Sequence, residues 1–206
     1  MKKAILPALF SLVIAGALTA APQSFDFKDP KGVNAVQFHL DSVLEPISGT
    51  AGGVTGSVSF DPANPGATTG RIVVATSSLT VSNAMMTDHL RGDKWLNAPA
   101  NPEIVFALTK FDHVKTSGNE TTATATGKFT LAGVTKDISV PVKLTYLAGV
   151  YGKRLNKPEL GGDLLVIRGE FTVQRGDYGI QPGSNEDKVN PEVKLSLAIV
   201  GGAPKA

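Results

Sequence analysis

Three histidines, His39, His89 and His113, are the side chains of this 206-residue chain best suited to metal or acid–base chemistry. A tetrahedral metal site needs convergent ligands, usually with two of them at a short fixed spacing. No two of these histidines have that spacing, so no metal centre is expected. Cysteine is absent, which removes disulfides, thiolate ligands and a catalytic thiol. No G-x-S-x-G elbow activates a serine, and no Gly-rich phosphate loop, H-E-x-x-H or EF-hand pattern occurs. The carboxylate pairs Asp26 with Asp29 and Glu186 with Asp187 fall in loops and read as solvated. Arg91 and Arg175 read as loop anchors bonded to carboxylates or carbonyls, with Asp177 as a partner for either. His89 remains. With Met86 and Leu90 it falls at i, i+3 and i+4, one face of a short helix. There it is a structural group or, at the mouth of an apolar cavity, a contact for a polar ligand head. The residues therefore point away from catalysis and toward binding, with no cofactor expected.

The elements that would position these groups are strands. In Gly127–Leu144, Phe129 and Leu131 alternate with Lys128 and Thr130, Ala132-Gly133 interrupts, and Ile138, Val140, Val142 and Leu144 alternate with polar residues or proline. Period-two alternation puts one face inward and one outward, so this is a β-hairpin of half-buried strands. The same grammar recurs at Ala35–Asp41, Ile47–Phe60, Arg71–Thr76, Ile104–Leu108, Thr121–Leu131, Leu164–Val173 and Val193–Ile199. Ile47–Phe60 holds Gly49, Gly52, Gly53 and Gly56, which predicts a bent or bulged strand. Phe25–Val33 reads as a loop or short edge segment. Ser82–Leu96 breaks the alternation and predicts a short helix, capped by Ser82 or Asn83 and ended by Gly92. Ala148–Gly162 and Arg175–Lys188 read as longer loops, and Gly201–Ala206 as a loose tail. The reading is all-β: an eight-stranded antiparallel barrel with one short helix, in one domain over residues 25–200. A barrel of that size holds side chains or one small ligand, and a sandwich is the alternative.

Apolar content of 42% suffices for a core, and 22 glycines with 13 prolines favour many turns over long helices. At the start, Lys2-Lys3 precedes the apolar run Ala4–Gly16 and the small-residue zone Ala17–Pro22. That is the layout of a secretory signal peptide, with cleavage expected after Ala20. Losing Lys2 and Lys3 leaves basic and acidic residues equal in number. No basic surplus then argues for nucleic acid, and no stable membrane insertion is expected after cleavage. The mature protein is expected to be periplasmic or extracellular.

In a barrel, the apolar phase of each strand faces inward. The expected lining is Phe38, Val58, Phe60, Ile104, Phe106, Leu108, Phe129, Leu131, Val140, Val142, Phe171, Leu195 and Leu197. Some of these fill the closed end as ordinary core. Met86, Leu90 and Trp95 would flank the mouth with His89, and methionine adapts well to an irregular apolar surface.

Several segments together resemble the YceI-like family of secreted, lipocalin-like lipid-binding proteins. Gly56-Ser-Val-Ser-Phe60-Asp61-Pro62 resembles its G-x-(apolar)-x-(apolar)-D-P segment. His89-Leu90-Arg91-Gly92 resembles H-L-R-S, and Pro102-Glu103-Ile104-Val105-Phe106 resembles Y-P-x-I-x-F. Gly127–Lys136 resembles G-x-(apolar)-T-(apolar)-x-G-V-T-(K/R), and Arg175–Gly179 resembles R-S-D-F-G. The resemblance covers roughly Phe25 to Val200. Ser42, Ala51 and Met86-Thr87 depart from the family pattern near the expected mouth. The resemblance implies an antiparallel barrel around an apolar tunnel carrying an isoprenoid, quinone or acyl lipid, and it leaves room for a homodimer. The competing readings are a secreted structural or stress-response module with a filled core, and an unrecognised secreted enzyme. A continuous cavity argues against the first, and the second requires a convergent acid, base and oxyanion site.

Overall fold

The computed structural model describes residues 22–205; the expected signal peptide, residues 1–20, lies outside the described residues. The strands are β1 (Gln23–Asp26), β2 (Ala35–Leu40), β3 (Ile47–Ala51), β4 (Val54–Phe60), β5 (Thr69–Ala75), β6 (Leu79–Val81), β7 (Glu103–Ser117), β8 (Glu120–Leu131), β9 (Val134–Leu147), β10 (Asp163–Gln174) and β11 (Glu192–Ala203). A helix, α1 (Ala84–Arg91), joins β6 to β7. One antiparallel sheet runs β1-β4-β5-β7-β8-β9-β10-β11, and β1 pairs back onto β11. The result is a closed eight-strand antiparallel barrel, from which β2, β3 and β6 continue beyond β11.

The short strands are halves of longer ones. Both β1 and β2 run beside β11, with Asp26 opposite Gly202 and Ala35 opposite Ala198. Next to them, β4 pairs β1 while β3 pairs β2, and then β5 pairs β4 while β6 pairs β3. Each interruption has a local cause. Gly32 donates to the Asp29 carbonyl at 3.0 Å in a turn. Gly53 lies at φ +59, in the region that favours glycine. Ser78 Oγ donates to the Gly52 carbonyl at 2.7 Å and to Ala75 at 2.6 Å, pinning the bend before β6. The bent strand predicted over Ile47–Phe60 is thus β3 and β4 broken at Gly52-Gly53.

Three local readings change. Of the loop or short edge segment expected at Phe25–Val33, Phe25 and Asp26 belong to the short strand β1, which is paired on both sides and not at an edge, with Phe25 completely buried opposite Val58. The loop at Ala148–Gly162 contains one helical turn, α2 (Tyr151–Arg154). Gly201–Ala203 is not loose: β11 runs through it, Leu164 stands opposite Gly202, and Ala203 is buried.

The two ends of the barrel differ. At one end Phe25, Phe27, Phe60, Leu144, Leu165 and Ile199 are at most 2% exposed. Tyr146 packs on Phe25 edge-on at 6.3 Å and on Phe60 at 6.2 Å, and its hydroxyl donates to Asp163 Oδ2 at 2.8 Å. This end is plugged. A bidentate ion pair straps it, Arg154 to Asp29 at 2.7 and 2.9 Å. At the other end the strands splay. Pairing of β9 with β10 stops at Val142 opposite Gly169, although β10 runs on to Gln174.

Candidate ligand-binding cavity

The helix forms where the sequence breaks its alternation. Asn83 caps it, accepting from the Met86 backbone N–H at 3.0 Å, and Gly92 ends it by donating to the His89 carbonyl at 3.0 Å. It lies along the edge of β6, which has no strand neighbour on that side. Thr87 Oγ1 bonds both the N–H and the carbonyl of Val81, at 3.1 and 3.2 Å, and Arg91 Nε donates to the Leu79 carbonyl at 2.7 Å. Two side chains of α1 therefore do for β6 what a paired strand would do. Arg91 is the loop anchor expected of it, bonded to a carbonyl.

Behind this helix lies a cavity of about 500 Å³. Every expected lining residue borders it except Phe60: Phe38, Val58, Met86, His89, Leu90, Trp95, Ile104, Phe106, Leu108, Phe129, Leu131, Val140, Val142, Phe171, Leu195 and Leu197. Phe60 faces inward but packs below the floor against Tyr146, where it belongs to the plug. Met85, on the same helix, is 67% exposed and does not line the cavity. Sequence reasoning missed further wall residues. Ile72 and Ile167 were legible, since they share the phase of Val74 and Phe171. Phe111 was not, because a register shift between Leu108 and Lys110 swaps which residues face inward. Ile180 and Val189 come from a loop, which has no periodicity to read.

The ionisable residues that border the cavity are Glu45, Arg71, His89, Arg175 and Lys188, and the Arg71 guanidinium is turned to Glu103 at 2.8 Å. His39 points outward, with Nδ1 at 2.8 Å from Ser48 Oγ, and exposed His113 sits on β7 at φ +53, so neither approaches His89. Among the described residues no group of three or more His, Cys, Asp or Glu is placed to hold a metal.

Arg175 shapes the rim. It is 3% exposed and donates to five backbone carbonyls of the loop that follows it: Ile180 at 2.8 Å, Ser184 at 2.6 Å, Val189 at 3.0 Å, Asn190 at 3.3 Å, and Gln181. Its guanidinium also lies over the Trp95 ring at 5.7 Å. Burial pushes its pKa down, partly countered by Glu186. The expectation of a loop anchor describes this arrangement. The partner does not: Asp177 faces Lys136 at 3.6 Å and bonds neither arginine, because its side chain points to the solvent side of β9.

The YceI-like domain matches residues 29–201, nearly the whole barrel. This chain belongs to the YceI-like family. Protein YceI of Escherichia coli O157:H7 is 33% identical over 206 residues, covering 98% of each chain. A UPF0312 protein of Pseudomonas paraeruginosa is 30% identical over 198 residues, covering 94% of this chain and 96% of its own. Among solved structures, Burkholderia cenocepacia BcnA superposes with a TM-score of 0.65 at 20% identity, covering 81% of this chain and 95% of its own. A Saccharophagus degradans polyisoprenoid binding domain, implicated in plant cell wall breakdown, gives 0.65 at 11% identity, covering 90% and 100%. At these identities the two structures share the YceI-like fold. Neither relatives nor neighbours support the homodimer that the sequence left open.

Proposed function

We propose that this YceI-like barrel binds and carries an apolar long-chain lipid of isoprenoid, quinone or acyl type, without chemically converting it. The observation that carries the reading is a cavity of about 500 Å³, plugged at one end and walled mostly by aliphatic and aromatic side chains. Each methylene moved from water into such a wall contributes about 0.8 kcal/mol, so a long chain binds there without strong polar contacts. The description of the S. degradans neighbour as a polyisoprenoid binding domain supports the same reading. The cavity weighs against a module with a filled core. Against an enzyme weighs the aliphatic and aromatic wall, with no base poised beside a nucleophile among the described residues. We place the site of action in the periplasm or outside the cell, on the leader pattern of residues 1–20. No helix of the described residues is long and apolar enough to cross a membrane.

The test is organic extraction of protein purified from its native host, followed by mass spectrometry. An isoprenoid, quinone or acyl lipid at near-stoichiometric yield is the expected result. Protein that is reproducibly lipid-free and also fails to take up added prenyl lipid ends the reading. The mass of the purified chain tests the export: a mature protein retaining Met1–Ala20 refutes cleavage.

A further inference from the structure

The plugged end sets a limit on the ligand. We infer that the cavity is a ruler for the apolar tail, admitting three to four isoprene units, and that Ala125 sits at its floor. This rests on the lipid-carrier reading above and adds the size class of the lipid.

Two measures of the cavity agree. The first is volume. A dry cavity of about 150 Å³ takes one benzene ring, or about 25 Å³ per carbon. At that density about 500 Å³ takes about 20 carbons, or four isoprene units. The second is depth. Along β8 the wall runs from Leu131 near the mouth to Ala125. Those six steps of about 3.4 Å, on a strand tilted by about 40°, give a depth of about 15 Å. A zigzag of bonds about 1.5 Å long advances about 1.25 Å per bond. The depth then holds about 12 main-chain carbons, which is three isoprene units at four main-chain carbons each.

The floor is set strand by strand, and Ala125 is the deepest lining residue on β8. Phe111 and Val140 stand opposite Ala125 on the neighbouring strands. On β9 and β10 the lining reaches further along the register, to Val142 opposite Ala123 and to Ile167 opposite Leu144, before the inward residues change character. On β9, Val142 borders the cavity but Leu144, 1% exposed, does not. On β10, Ile167 borders it but Leu165, 0% exposed, does not. With Phe25, Phe60 and Tyr146 these side chains occupy the remaining interior, so a longer tail has nowhere to go but back through the mouth. Ala125 is a small side chain at the end of the β8 lining, itself 2% exposed, and enlarging it raises the floor there.

The experiment measures affinity of the purified, delipidated chain for prenyl alcohols of two, three, four and six isoprene units, by quenching of Trp95 fluorescence. Affinity is expected to rise more than about tenfold per unit while each added unit is buried, and by less than about threefold from four units to six, where the excess stays in water. Ala125→Leu is expected to move the plateau down by one unit. Ala125→Val gives the same direction by a smaller volume if the leucine variant fails to fold. A continued rise from four to six units overturns the ruler and leaves the carrier reading standing. So does a well-folded Ala125→Leu chain with an unmoved plateau. Failure of every prenyl alcohol to bind overturns both readings.

Discussion

Arg175 carries the loop that rims the cavity, so its removal is the most direct perturbation of the site's frame. In Arg175→Met the apolar stem survives but the carbonyls of Ile180, Gln181, Ser184, Val189 and Asn190 lose their shared donor. An unsatisfied buried acceptor costs about 1–3 kcal/mol. Only the bond to Ile180 is fully buried; the other four are part-buried and regain water after a small loop movement. Removing a buried charge that Glu186 offsets only in part returns some free energy. The net expected loss is about 3 kcal/mol. Arg175→Lys keeps the charge but not the planar fork, and one ammonium cannot serve five carbonyls. It should lose about 2 kcal/mol. Urea unfolding followed by Trp95 fluorescence reads both, and since Trp95 is the single tryptophan and lies under the guanidinium, its native spectrum should shift as well. If Arg175→Met unfolds within about 0.5 kcal/mol of the parent, a difference typical of an unimportant surface change, the carbonyl cage is not what holds the loop.

Other tests address the frame and the mouth. Arg154, bonded to Asp29, holds that carboxyl at about 2 instead of 3.8. A depressed carboxyl stabilises the fold above its unfolded pKa, and the contribution is lost as pH falls toward about 2; it amounts to about 2 kcal/mol. Thermal melts at about pH 5 and pH 2 should show this drop, and Asp29→Asn should flatten it; an equal drop in both proteins refutes the assignment. Gly56 lies at φ +109, and a methyl there overlaps the Arg71 carbonyl across the β4–β5 ladder. Gly56→Ala should therefore cost about 3 kcal/mol or more in urea unfolding, and a loss under about 1 kcal/mol would mean that β4 bends freely there. Phe106→Asp should abolish lipid uptake, because an unpaired charge in a dry wall costs several kcal/mol, and circular dichroism must show the barrel intact for the result to count. His89→Ala should keep the fold and weaken only ligands with a polar head; equal binding of a prenyl alcohol and its head-free hydrocarbon by both proteins would make His89 merely structural.

Period-two alternation made the strands legible, because the direction of a strand side chain depends only on its neighbours along the chain. That is why Phe38, Ile104, Phe129, Val142 and Leu195 could be assigned to the interior before any pairing was known. Gly92, and an N-cap at Ser82 or Asn83, were equally readable as the ends of α1, since capping is local chemistry, and the structure chose Asn83. The tertiary structure decided whatever depends on partners distant in sequence. Phe60 and Val58 share a face of one strand, yet only Val58 borders the cavity, because Tyr146 reaches across the barrel to Phe60. Phe111 turns inward only because β7 slips its register against β8. Asp29 finds Arg154 across 125 residues of chain, and Arg175 binds carbonyls rather than Asp177 because its loop folds around it. No single stretch of sequence encodes where a barrel closes and where it stays empty. That balance belongs to the sum of inward side-chain volumes over eight strands, and only assembled packing reveals it.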